Sequence, residues 1–193
     1  MKTLYSKIIT IFVLTIIVSC KAQQTYPLNT DYDNVPNYSY LKDLNNELIP
    51  YIGTYKATFQ GNEISLYITS IEHKLEESTN KKYYQDVLSV RYIVRNNNQV
   101  LQDTHNMLIP ANQIIHTIYS YRIKSYNNSV IFYYGGTNCG IGWGDIYLKK
   151  INATQISWEY RPDNSLIDSA TCPPSTDKTV YLPVTKDLIF TKQ

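Results

Sequence analysis

The chain has 193 residues, with 18 Lys and Arg against 16 Asp and Glu, and a net charge of +2. Lys2 and Lys7 fall in a stretch that reads as removable, so the remaining chain of about 174 residues is neutral; this argues against a nucleic-acid or anionic-membrane binder that works by charge. At 43% hydrophobic residues it is not a disordered chain, and its length supports one domain burying roughly 70% of the unfolded surface.

Lys2 and Lys7 precede an uncharged run from Ile8 to Val18, IITIFVLTIIV. A charged start and a short apolar core make residues 1–19 a secretory signal, too short to cross a bilayer as a mature helix. The run ends in Ile17-Val18-Ser19-Cys20, which resembles a bacterial lipobox. The resemblance implies diacylglycerol on the Cys20 thiol, cleavage after Ser19 and acylation of the new amine. Two or three chains at about 0.8 kcal/mol per buried CH2 anchor a protein durably. The alternative is an ordinary signal peptide with Cys20 there by chance. Lys21 stands where Asp would suggest inner-membrane retention, so an outer-membrane anchor is expected. No acidic cluster follows closely, which favours the periplasmic side over the cell surface. Export leaves Cys139 and Cys172 in an oxidising compartment, where a disulfide is the default and two buried free thiols the alternative.

Residues 21–40 are polar and broken by Pro27 and Pro36, and read as a tether. Leu41, Leu44, Leu48 and Ile49 have helical spacing ended by Pro50, which predicts about two turns of helix. The chain thus divides into a signal (1–19), a tether with short helix (20–50) and a folded domain (51–193). From Gly53 the period becomes two: Tyr55, Ala57 and Phe59; Ile64, Leu66 and Ile68; Leu88, Val90, Tyr92 and Val94; then Val100–Thr104, Ile114–Lys124, Ser129–Tyr134, Asp145–Ile151, Gln155–Tyr160, Val180–Val184 and Leu188–Thr191. Alternation rich in Tyr, Thr, Val and Ile, with 19 tyrosines in all, is an all-β pattern.

Tight turns at 61–62, 96–98, 127–128 and 152–153 alternate with longer links at 76–82, 105–113, 135–144 and 161–178. In an antiparallel meander this order gathers tight turns at one end and long loops at the other. It predicts an up-and-down β-barrel of about eight to ten strands, open at a loop-built mouth that the short helix could cover. Cys139 and Cys172 fall in two mouth loops separated by one hairpin, so the same parity that orders the loops also pairs the cysteines.

The lipobox, the Tyr-Ile-Gly-Thr-Tyr entry at 51–55 and the closing Asp-Leu-Ile-Phe-Thr-Lys at 187–192 look like small secreted bacterial lipoproteins of uncharacterised function. Gly53-Thr54-Tyr55 before a meander is also similar to the Gly-x-aromatic opening of lipocalin-like barrels, although the lipocalin aromatic is usually Trp. The resemblance covers about residues 51–193 and implies a lipocalin-like fold.

Chemistry is thinly signalled. The glycine-rich 135–144 runs from strand to strand and lacks the Lys-Ser/Thr of a phosphate loop, so it reads as a twisted hairpin loop. Trp143 within it would stack on a ring or sugar if exposed at the mouth, or plug the barrel if buried. His73, His105 and His116 have no metal-ligand spacing, although turn counting puts His73 and His105 near the mouth; no nucleophile–base motif occurs. Glu76-Glu77 reads as a solvated pair and Glu159 as water-facing. Asp168-Ser169-Ala170 matches a short O-glycosylation pattern of bacterial envelope proteins. The expected function is therefore non-enzymatic, with no cofactor and no metal: a lipid-anchored monomer whose barrel holds a small apolar or aromatic ligand among Phe59, Leu66, Tyr92, Trp143 and Trp158. The alternative is a protein-interaction or structural lipoprotein using its long loops.

Overall fold

Residues that alternate in hydropathy fold as strands. The computed structural model describes residues 22–110, 112–164, 167 and 170–193. The signal with Cys20 lies outside them, as do Asp168 and Ser169 of the glycosylation pattern. Two short strands, β1 (Thr25–Pro27) and β2 (Tyr40–Lys42), precede β3 (Gly53–Phe59), β4 (Asn62–Ser78) and β5 (Lys81–Asn96). There follow β6 (Gln99–Asp103), β7 (Ile118–Lys124), β8 (Ser129–Tyr134), β9 (Gly144–Lys150), β10 (Gln155–Pro162) and β11 (Leu188–Lys192). The order β5-β4-β3-β11-β10-β9-β8-β7, closed where Ser89 of β5 meets Tyr119 of β7, is an antiparallel eight-stranded barrel.

Register carries the core. Leu66 lies between Tyr55 and Tyr92, and Ile64 opposite Val94. Across the other half Phe132, Ile146 and Tyr160 form one inward row, and Val130, Leu148, Trp158 and Leu188 the next. Because side chains alternate faces with a period of two, these rows pack inward while Tyr133, Asp145, Tyr147 and Glu159 point outward.

One end of the barrel, the rim, carries the connections 135–143 and 163–187. The turns at 60–61 and 97–98 lie at this end too, whereas 125–128 and 151–154 lie at the opposite end, the floor. The expected segregation of tight turns from long loops is therefore corrected. Its cause is a split strand: β6 and β7 are both antiparallel to β5 and lie in tandem on the same edge of it. The segment 104–117 between them makes an excursion without reversing the chain, so every connection after it changes ends. The link at 76–82 is also no loop; β4 and β5 run on as a long hairpin arm past a bulge between Ile71 and Lys74, where His73 takes φ +55°. On that arm Glu76 and Glu77 pair with Lys74 and Lys82.

The two-turn helix expected over 41–49 does not form. Tyr40–Lys42 pairs in parallel with β5, and Ile49–Tyr51 is a single 3-10 turn. The Asp43 carboxylate accepts from the amides of Glu47 and Leu48, bending the chain so that Leu48 is buried while Leu44 and Ile49 are exposed. Nor is 22–40 a free tether: Leu28 and Val35 join the core with Leu41 and Leu48. This segment closes the floor rather than the mouth, with Tyr51 Oη donating to the Asn128 carbonyl there. The strand expected at 180–184 is irregular too. Pro183 has no N–H to give a ladder, and its carbonyl instead accepts the Trp158 indole N–H at 2.9 Å.

Candidate functional site

The barrel interior is packed solid where a ligand cavity was expected. Leu66, Tyr92 and Trp158 are 0% exposed and so border no space that water could enter, and Phe59 packs half-buried against the same cluster. Trp143 alone of the five expected ligand contacts lies elsewhere, in the rim loop, so the structure does not bring the five together.

At the rim, the loop after β8 is stitched to the excursion before β7. The Gly135 amide donates to Thr117 O at 3.0 Å, and the His116 amide to Gly136 O at 2.8 Å. The approach demands glycine: a Cβ on Gly135 would sit 1.9 Å from the Ile114 carbonyl oxygen, and Gly136 has φ +84°. Cys139, itself at φ +60°, is bonded to Cys172, which pins this loop to the segment 170–187 as the parity of the last two rim loops implies. Asn138 Nδ2 adds a second tie, donating to Asp177 O at 2.9 Å.

Between these loops lies an open cleft of about 540 Å³ lined by Ile114, Ile115, Tyr133, Gly135, Cys139, Gly140, Trp143 and Asn164. Tyr133 and Trp143 meet at 6.3 Å between ring centroids, tilted by 43°. Burial raises the Tyr133 hydroxyl pKa, and the nearby carboxylates of Asp163 and Asp145 raise it further, so it stays a neutral phenol. Tyr133 carried a signal in the sequence, since alternation turns it outward between inward Phe132 and Tyr134. Ile114 and Ile115 carried none: alternation runs the strand over them, and only the split of β6 from β7 brings them to the rim.

Beneath the cleft a buried polar chain links rim and core. Tyr92 and Tyr134 hydroxyls are 3.1 Å apart, and Tyr92 Oη donates to Gln102 Oε1 at 2.9 Å. Gln102 Nε2 donates to Thr137 Oγ1 at 3.2 Å and lies 3.5 Å from His116 Nδ1, whose Nε2 is 3.1 Å from Asn138 Oδ1. Burial raises the Tyr134 pKa to about 12, and raises that of Tyr92 well above its ordinary value, with Tyr134 adding to the effect. Both phenols therefore keep their protons near neutrality.

The other histidines lie apart. His73 stacks on Tyr84 at 3.9 Å with Nε2 2.8 Å from Gln23 Oε1, and His105 stacks on Tyr67 at 3.9 Å. Among the described residues no group of three or more His, Cys, Asp or Glu side chains is placed to hold a metal ion. Glu159 faces outward and accepts from Arg161 Nε at 2.7 Å.

An eight-stranded antiparallel barrel with a solid interior and a disulfide-pinned rim defines the class of the protein by its architecture. The chain belongs to a family of unknown function, DUF6705, whose pattern matches residues 1–193. No curated protein and no solved structure matches it significantly.

Proposed function

We propose that the protein is a non-enzymatic binding module of the bacterial cell envelope, anchored in the outer membrane through acylated Cys20, and that it holds a small apolar or aromatic ligand at the rim. The observation that supports this is the cleft itself. Its volume of about 540 Å³ lies within the roughly 300–1,000 Å³ usual for small-molecule sites. Among the described residues its lining sets two aromatic rings and two isoleucines beside one amide side chain, Asn164. A ring-shaped ligand would lie against Trp143 and Tyr133, with Asn164 setting its orientation. With the interior packed, this reading takes the ligand at the mouth of the barrel instead of inside it.

The test uses full-length protein and indole as probe. Binding is read by isothermal titration calorimetry, since indole shares the tryptophan chromophore and Trp143 is itself the residue to be replaced. Trp143→Leu should abolish the response, and unchanged indole binding in that variant would refute the assignment. Mass spectrometry of small molecules co-purified with the membrane-extracted protein should return an apolar or aromatic compound. Labelling by radioactive palmitate should vanish in Cys20→Ala; retained labelling refutes the anchor.

A second reading, protein contact through the loops, is favoured by one observation: Leu108 on the excursion is 97% exposed, beside exposed Met107. Crosslinking through a photoreactive residue at 108 in intact membranes should capture a single partner, and a diffuse smear or none would count against it.

A further inference from the structure

We propose that the outer wall of β7–β10 is a recognition face for a neutral carbohydrate chain. This face shares only Tyr133 with the rim cleft and does not require the cleft to be occupied.

Register builds the wall. Tyr119, Tyr133, Asp145 and Arg161 form one row across four strands, with Tyr147 and Glu159 in the next. A bulge between Ser120 and Arg122 swings Tyr121 over the wall. Its hydroxyl donates to Asp145 Oδ1 at 3.2 Å, and the Tyr147 hydroxyl to Asp145 Oδ2 at 3.3 Å. The Arg161 guanidinium lies 4.6 Å from the centre of the Tyr147 ring. The result is a half-exposed aromatic surface with a carboxylate at its middle and a guanidinium beside it.

The arrangement selects among occupants. A nucleic acid or other polyanion needs cations at the centre of its surface; here the centre is the Asp145 carboxylate, Arg161 is matched by Glu159, Lys124 lies against the Tyr147 ring, and Arg122 and Lys149 stand at the margin. A protein interface depletes Asp from its core, and aliphatic Ile131, which such a partner would need, is buried beneath the rings. A pyranose presents what remains: a flat C–H face for the tyrosine rings and a rim of hydroxyls. An ionised carboxylate has about four acceptor sites. The two phenols use two, leaving capacity to accept from sugar hydroxyls, while Arg161 donates to sugar oxygens. Tyrosine, apolar in body and polar at its tip, serves both surfaces at once.

The experiment screens full-length protein against an array of neutral, sulfated and sialylated glycans. The expected result is retention of neutral oligosaccharides, weakened at least tenfold by Tyr147→Ala and by Asp145→Asn and preserved by Tyr147→Phe. Tyr147 and Asp145 sit outside the core, so the thermal midpoint should be unchanged in all three variants, and Tyr147→Ala should leave indole binding at the rim unchanged; a variant that fails to fold is replaced by Tyr121→Ala, read in the same way. Retention of acidic glycans alone, or of none, overturns the proposal. So does neutral-glycan binding that Trp143→Leu abolishes and Tyr147→Ala leaves intact, since it moves the sugar to the cleft.

Discussion

Removing the rim disulfide tests whether architecture and site are coupled as described. Cys139 and Cys172 are 33 positions apart, so the bond closes a loop of about 34 residues in the unfolded chain. Loop-closure entropy for that length is about 12–13 cal/mol/K, or about 3.8 kcal/mol at 25 °C. The folded rim keeps other ties, including the Asn138 bond to Asp177 and the Asp163 amide to Trp143 O at 2.7 Å. The barrel should therefore survive, and the double variant Cys139→Ser/Cys172→Ser should lose about 3–4 kcal/mol. For a urea slope of about 2 kcal/mol/M this lowers the unfolding midpoint by about 2 M, with a steeper slope as the unfolded chain expands. The assay is urea unfolding followed by far-ultraviolet circular dichroism and by tryptophan emission. Emission from Trp143 should shift in native buffer, because its loop is released, whereas Trp158 stays sealed. A loss below about 1 kcal/mol, or an unchanged native emission, would refute the claim that the bond constrains the cleft wall.

Three further outcomes follow from the packing. Leu66→Ala removes a fully buried side chain seated between Tyr55 and Tyr92 and should cost about 2–5 kcal/mol by urea unfolding; a loss under 1 kcal/mol would mean that the interior holds slack. Gly135→Ala drives a methyl to within 1.9 Å of the Ile114 carbonyl, so the two rim segments must part, lowering the thermal midpoint and weakening indole binding together; scanning and titration calorimetry check both. Tyr51 and Tyr134 are raised by burial to about 12 from an unfolded value of 10.0, so their contribution is whole below pH 10 and lost as pH climbs towards 12. Each group withdraws about 2–3 kcal/mol over that window, and tyrosinate absorbance should show a late fraction ionising together with unfolding; full ionisation before unfolding would contradict it.

How much of this was legible follows from which interactions are local. Inward and outward faces were, because alternation is a property of neighbouring residues: Leu66, Tyr92 and Trp158 were expected inside and are. The Cys139–Cys172 bond was legible because only one hairpin separates the two loops. The helix at 41–49 misled because four apolar residues matched a helical period, while Asp43 offered the amides of Glu47 and Leu48 a competing partner. Asp43 in turn gives its own amide to the Asp86 carboxylate across the β5 contact, a long-range partner that no window of sequence contains.

The cavity expectation failed for a related reason, one that also builds the rim cleft. Counting turns treats each strand as a full barrel stave, but the edge of β5 is shared in tandem by β2, β7 and β6. Eight staves enclose an interior that side chains can fill or that can hold one small ligand, and here Tyr55, Tyr92, Tyr134, Phe132, Phe190 and Trp158 are bulky enough to fill it. The residues released by the split are those of the excursion between β6 and β7. They extend past β6 to the rim, where Ile114 and Ile115 meet Tyr133 and Trp143. The same break that defeats turn parity thus supplies the apolar wall of the cleft, and joining β6 and β7 into one continuous strand by deleting the excursion should leave a folded barrel that no longer binds indole.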